Sequence, residues 1–205
     1  MLVEGIKSRP VYAPLALRPG GPHLIVADGE GALAVLDLVA SAEPAEPAEP
    51  GTLTAMRVWY VAGGSAGQGH EARLAAGLSS CAIVPTSAVA VTRLQAALAE
   101  ARMGTQVYAA GTEDLIGQVI QAALDAGVEL GAIGAEHRGS LARRVQCVHC
   151  KAITDGVTTQ PVGCSGCGLS LLVRDHFSRR VGAFQGVCID AEEPGSAPAP
   201  EPVFA

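Results

Sequence analysis

Four of the chain's six cysteines fall within CVHCKAITDGVTTQPVGCSGC, residues 147–167, as two C-x2-C pairs with thirteen residues between them. A two-residue gap lets both sulfurs of a pair turn to one point. The thirteen intervening residues suit a β-hairpin that brings the second pair opposite the first. Cys147, Cys150, Cys164 and Cys167 therefore read as a four-thiolate tetrahedral site at the tip of a small β ribbon, the pattern of a structural zinc site. Iron of rubredoxin type takes the same S4 geometry, so spacing leaves zinc and iron both open. Ala152, Gly166 and Gly168 are small enough to let backbone N–H groups approach the sulfurs. His149, inside the first pair, reads as a surface neighbour of a site that is already full. Cys81 and Cys188 stand apart and read as small buried thiols.

A ribbon of this size buries little core by itself, and metal would fasten it. Residues 141–190 form this second unit, with short strands in GVTTQPVG and LSLLVRD. What precedes it has another rhythm. HLIVAD (23–28), MRVWYVAGG (56–64), CAIVPT (81–86), TQVYAAG (105–111) and VELGAIGAE (128–136) are short apolar runs that read as strands. Between them lie the helical stretches GALAVLDLVASA, HEARLAAGLSS (70–80), VAVTRLQAALAEARM and TEDLIGQVIQAALDAGV (112–128). In the last, Thr112 is the N-cap, Glu113 and Asp114 suit the positive end of the helix, and Gly127 closes it. This alternation implies βαβ units and a parallel sheet, hence an α/β domain over residues 1–140. The Ala-Glu-Pro repeat of 41–51 reads as a stiff linker or exposed loop. AEEPGSAPAPEPVFA (191–205) reads as a disordered tail.

Charge excludes several function classes. Twenty acidic residues against fourteen basic ones give a net charge of -6, which argues against nucleic acid and against an anionic membrane surface as partner. No apolar run reaches the roughly 20 residues of a membrane helix, and no secretory signal is visible. The expected location is a reducing cytoplasm, where thiols stay free for metal.

Two further segments bear on function. Gly67-Gln68-Gly69-His70-Glu71-Ala72 formally matches G-x-G-x-x-A, but it starts well after its strand, with no acidic residue placed to hold a ribose. A glycine-rich loop without ligand is the better reading, and Gly67 and Gly69 are weak nucleotide candidates. Beyond the second cysteine pair, VRDHFSRRVGAFQG gathers Arg174, Asp175, His176, Phe177, Arg179 and Arg180. Arginine with aromatics suits a partner interface. The alternative is a salt-bridged surface strand whose phenylalanines fill the ribbon's core.

TQVYAAGTEDLIGQVIQAALDAGVELGAIGAE resembles the closing part of the NAD(P)-binding domain of ferredoxin-reductase-type flavoenzymes. The resemblance makes Gly111 and Thr112 further weak nucleotide candidates. Ala110 stands where those reductases usually carry cysteine, and Thr112 replaces their proline. No flavin-binding barrel motif precedes it and no plant-type iron–sulfur run follows. The C-terminal segment, CVHC through CSGCGLSLLVRDHFSRRVGAFQGV, resembles the DmmA-like subunit of bacterial haem-dependent dimethylamine monooxygenase. That resemblance implies a multisubunit enzyme that oxidises dimethylamine to methylamine and formaldehyde with O2 and NAD(P)H. Haem is implied on one partner subunit, and flavin with a [2Fe–2S] cluster on a reductase partner. This chain is then a non-catalytic subunit bridging the two. The alternative is an electron-transfer component that binds NAD(P)H or flavin and carries iron in its S4 site.

Overall fold

The computed structural model describes residues 8–42, 56–62 and 70–204. It divides into two compact units, one over Tyr12–Gly139 and one that joins Ser140–Ala205 to the N-terminal residues up to Val11.

The first unit contains β1 (His23–Asp28), α1 (Gly31–Ala42), β2 (Met56–Val61), α2 (His70–Gly77), β3 (Cys81–Val84), α3 (Ser87–Ala99), β4 (Gln106–Gly111), α4 (Glu113–Asp125) and β5 (Ile133–His137). The strands form one sheet in the order β3-β2-β1-β4-β5, parallel throughout. The period-2 alternation of a strand sends neighbouring side chains to opposite faces. Leu24, Val26, Trp59, Val61, Val107 and Ala109 pack with Leu94 of α3 and Leu115, Ile116 and Val119 of α4. Ile25, Ala27, Val58, Tyr60, Tyr108 and Ala110 pack on the other face with Val35 and Leu38 of α1 and Leu74 of α2. Both central strands are buried along their whole length, which explains why β1 and β4 read as continuous apolar runs. The expected α/β parallel sheet is therefore present.

Local chemistry sets several boundaries. Thr112 caps α4, its hydroxyl accepting from the Leu115 N–H at 3.2 Å. Gly127, just past that helix, takes φ +84°, a conformation open to glycine at little cost. Thr86 caps α3 in the same way, accepting from the Val89 N–H, so that helix begins two residues before the apolar spacing predicts. The stretch predicted as one strand over 128–136 opens with a 3-10 turn at Leu130–Ala132. α1 runs to Ala42 as the stretch GALAVLDLVASA predicts, taking in Ser41 and Ala42 where the linker reading of 41–51 overlaps it, and the rest of the Ala-Glu-Pro repeat lies outside the described residues.

His23 is buried at the start of β1, with Nδ1 3.3 Å from the Tyr108 hydroxyl. Burial lowers its pKa below the usual 6.5, more than a hydrogen bond at the Gly20 backbone raises it. The fold thus holds the neutral imidazole. That stabilisation is complete above the unfolded pKa and is lost as pH falls from 6.5 toward the folded value. Urea titrations at pH 7.5 and 5.5, followed by the fluorescence of the chain's one tryptophan, Trp59, are expected to show a lower midpoint at the acidic pH. His23→Gln is expected to remove most of that slope. An equal slope in the variant would assign it to other groups.

In the second unit, β6 (Arg143–Cys147), β7 (Ile153–Val157), β9 (Val162–Gly163), β10 (Ser170–Ser178) and β11 (Ala183–Cys188) form a sheet in the order β7-β6-β11-β10-β9. Val145, Val157, Leu171, Val173, Phe177 and Phe184 are its core. The tail departs from expectation. Glu201–Pro202 (β12) pairs with Thr159–Gln160 (β8), and the Val203 and Phe204 N–H groups both donate to the Thr158 carbonyl at 2.9 Å. Phe204 is buried, and the Arg143 guanidinium lies between its ring at 4.2 Å and that of Phe184 at 4.1 Å. The tail's composition is that of a disordered segment, but one aromatic near its end has a cationic stacking partner and a core to enter. At the other end, Ser8 joins this unit rather than the α/β unit. Its N–H donates to the Asp175 carbonyl, and its hydroxyl accepts from the Phe177 N–H, both at 3.2 Å.

Among the described residues no helix is long and apolar enough to cross a membrane.

Candidate metal centre

Each cysteine pair sits in the same tight turn. Cys147 ends β6, its N–H bonded to the Ala152 carbonyl at 2.9 Å, while the Lys151 N–H donates to the Cys147 carbonyl at 3.0 Å. Cys164 follows β9, its N–H bonded to the Leu169 carbonyl at 2.9 Å, while the Gly168 N–H donates to the Cys164 carbonyl at 3.0 Å. The residue four places after each leading cysteine is left-handed, Lys151 at φ 66° and Gly168 at φ 74°. The two turns are thus copies of one another facing across the ribbon. Gly166 is required where they meet, since a Cβ there would stand 2.6 Å from the Ala152 Cβ and 3.1 Å from the Cys150 sulfur.

The four sulfurs all lie within 4.8 Å of one another, with Cys147–Cys167 at 3.9 Å and Cys150–Cys164 at 3.5 Å. A tetrahedron with metal–sulfur bonds of about 2.3 Å has edges of about 3.8 Å, so this donor set fits a zinc or iron ion. Cys147 and Cys164 are buried, whereas Cys150 and Cys167 are exposed. The backbone N–H groups of Cys167 and Gly166 pull the Cys164 thiol down to about 6. Cys167 accepts from the Leu169 N–H, which lowers its pKa, but local desolvation and the crowded thiols of Cys164, Cys150 and Cys147 outweigh that and push it up. Four sulfurs this close cannot all ionise without a cation among them. Metal entry would release the remaining protons.

His149 is exposed beside the site. Cys188 is half-buried rather than buried, and its thiol donates to Asp190 at 3.2 Å. Cys81 is also half-buried, on the edge strand β3.

The residues expected at an interface separate into two groups. Arg174, Arg179 and Arg180 are exposed, the last two at the tip of the β10–β11 hairpin, where the Val181 and Gly182 N–H groups close on the Ser178 carbonyl. His176 is also exposed and meets the Ser8 hydroxyl at 3.2 Å. Phe177 instead belongs to the core, its ring 5.1 Å from Phe184 and edge-on to it. Asp175 accepts from the buried Arg143 guanidinium at 2.9 Å. Phe177 thus serves the ribbon's small core, as the alternative reading has it, while Asp175 stays exposed and also pairs a buried cation.

Gly67 and Gly69 lie outside the described residues. Gly111 and Thr112 sit where β4 turns into α4, beside the end of β1. There the Asp28 carboxylate accepts from the Thr112 N–H at 2.8 Å and from its hydroxyl at 2.7 Å. Burial raises the Asp28 pKa, opposed by the Thr112 hydrogen bonds and the His137 charge. The sequence reading missed this carboxylate. It also missed that Gly29-Glu30-Gly31-Ala32-Leu33-Ala34 follows β1 directly and itself has the form G-x-G-x-x-A. That position, the first βα turn, was the available signal.

Comparison with known proteins decides the family. Residues 4–133 match the N-terminal domain of the dimethylamine monooxygenase subunit DmmA-like family, and residues 144–187 match its C-terminal domain. The chain belongs to the DmmA-like family. A curated relative of this DmmA-like chain, the heme-dependent oxidative N-demethylase delta subunit of Ectopseudomonas mendocina (strain ymp), is 35% identical over 101 residues, covering 49% of the chain and 58% of the relative. The match thus spans little more than half of that relative's length. Among solved structures, the Amycolatopsis cytochrome P450 reductase GcoB shares 13% identity at a TM-score of 0.39, over 58% of this chain and 38% of that one. A flavohemoglobin from Malassezia yamatoensis shares 14% identity at a TM-score of 0.36, over 60% and 33%.

Proposed function

We propose that this DmmA-like chain is a non-catalytic, structural subunit of a multisubunit haem-dependent oxidative N-demethylase in the cytoplasm. The complex would convert dimethylamine, O2, NAD(P)H and a proton to methylamine, formaldehyde, water and NAD(P)+. Haem would sit on one partner and flavin with a [2Fe–2S] cluster on a reductase partner, and this chain would hold the two together. The observation that carries the reading is the 35% sequence identity to the delta subunit of a heme-dependent oxidative N-demethylase. With zinc in the four-thiolate site, the centre would be redox-silent and would fasten the fold.

The exposed hairpin tip supplies the contact. Arg179 and Arg180 form a basic point on a chain of net charge -6, complementary to an acidic patch on a partner. Co-expression of the tagged chain with the other subunits is the test. The wild-type chain is expected to retain both partners through purification. Arg179→Glu with Arg180→Glu is expected to weaken retention by about tenfold or more, near 1.4 kcal/mol. Unchanged retention would remove the hairpin from the interface. Iron in the S4 site, shown by thiolate charge-transfer bands in the visible spectrum, would replace the structural reading with electron transfer.

A further inference from the structure

An open parallel sheet with this strand order binds its ligand where the order reverses, in the crevice between the carboxyl ends of β1 and β4. In this chain four independent features close that place. Gly31 opens α1 in direct contact with the β4–α4 turn, such that a Cβ on it would stand 2.2 Å from the Ala110 carbonyl oxygen. The glycine pattern therefore serves backbone packing. The Asp28 carboxylate already takes the Thr112 N–H and hydroxyl at the N-terminus of α4, and a Cβ at Gly111 would come 1.8 Å from its Oδ1. The β1–α1 turn is tied to β2, its Gly29 N–H on the Val61 carbonyl at 3.1 Å and its Gly29 carbonyl on the Tyr60 hydroxyl at 2.8 Å. Within the same turn the Ala32 and Leu33 N–H groups donate to Gly29 and Glu30, which removes donors a phosphate would use. Finally, Arg138 after β5 pairs with Asp37 of α1 at 3.3 Å and with Glu136 at 2.6 Å, and its N–H donates to the Gly111 carbonyl at 2.8 Å.

We infer that Asp28 is a built-in anion at the switch point, that it takes the place a nucleotide phosphate would need, and that the crevice between β1 and β4, as the described residues form it, is not a nucleotide site. A pyrophosphate arriving there would meet Asp28 and Glu30 as like charges, with the Gly29, Ala32, Leu33 and Thr112 N–H groups already bonded and the Arg138 guanidinium taken by Glu136 and Asp37. The cofactor implied by the reductase resemblance does not fit these residues. Reducing equivalents from a nicotinamide cofactor would then have to enter elsewhere. The inference concerns this chain alone and stands or falls apart from the assembly proposal.

Calorimetric titration of the full-length, metal-replete chain with NADPH, NADH and FMN is expected to show no saturable heat at millimolar ligand. Asp28→Ser removes the internal anion and exposes the Thr112 N–H. Its thermal midpoint is expected to fall by about 5 °C, from loss of a charged hydrogen bond. Inorganic phosphate is expected to recover part of that loss while shifting the wild type far less. Should the serine variant fail to fold, Asp28→Asn carries the same comparison, since its amide oxygen keeps one Thr112 bond but no charge. Saturable one-to-one binding of any of the three ligands to the wild type would overturn the inference. So would a phosphate response equal in variant and wild type.

Discussion

Cys147→Ser and Cys164→Ser are each expected to abolish metal binding and unfold the ribbon, while the α/β unit stays folded. These are the two buried members of the tetrad, each seated at the end of a strand and anchoring its turn through its own backbone N–H and carbonyl. Serine offers a hydroxyl in place of a thiolate and cannot complete an S4 site. A structural zinc site contributes on the order of 10 kcal/mol to folding, more than the whole net stability of many domains. The ribbon has little to set against that loss, since its core rests on a few side chains such as Val145, Leu171 and Phe184. Elemental analysis is expected to find one zinc in the wild-type chain and none in either variant. Near-ultraviolet and hydrogen-exchange signals of the ribbon should collapse, while Trp59 fluorescence, which reports β2 of the α/β unit, should be retained. Cys188→Ser is the control, since that thiol bonds to Asp190 and stands outside the tetrad, and it is expected to keep full metal. A Cys147 or Cys164 variant with undiminished metal and a wild-type melting transition would show that the tetrad is not the site.

The tetrad was legible because metal chemistry imposes short-range spacing, and spacing is what a sequence displays most directly. The α/β sheet was legible for a related reason. Central parallel strands are buried on both faces, so HLIVAD and QVYAAG stand out as unbroken apolar runs. Thr112 as helix cap was visible from its position before Glu113 and Asp114. Contacts that join residues far apart were not visible. Asp28 and Thr112 are 84 positions apart, and nothing in either neighbourhood advertises the pairing. Ser8 reaches Phe177 across 169 positions. Phe204 ends a segment whose proline, glycine and glutamate content reads as solvated, and its partners, the Arg143 guanidinium, the ribbon core and the Thr158 carbonyl, lie far off in the sequence. Phe177 and Arg179 look equivalent in RDHFSRR, yet the β10–β11 register sends one ring inward against Phe184 and leaves the other side chain at the hairpin tip. The sequence pattern supplied the elements, and the pairing of their ends decided which polar residues were free for a ligand or a partner.

Gly31→Ala is expected to destabilise the α/β unit strongly. The added Cβ would stand 2.2 Å from the Ala110 oxygen, 2.4 Å from its carbonyl carbon and 2.7 Å from the Gly111 nitrogen. All three are backbone atoms of the β4–α4 turn, so no side chain can rotate away. Gly111 is held from two further directions, by the adjacent Thr112–Asp28 bonds and by the Arg138 N–H on its carbonyl. The helix must therefore lift, and lifting α1 opens the contacts of Ala34, Val35 and Leu38 with the sheet. Overpacking and lost burial together place the cost at about 3 kcal/mol or more, a fall in the thermal midpoint of roughly 10 °C for a chain of this length. Gly131→Ala provides the comparison, because nothing lies within 4 Å of a Cβ at that position, and it is expected to stay within about 0.5 kcal/mol of the wild type. Metal content should be unchanged in both. A Gly31→Ala protein that melts with the wild type would mean that α1 does not rest on the Ala110 turn. The crevice between β1 and β4 would then be open beside Asp28, and with it a place for a nucleotide.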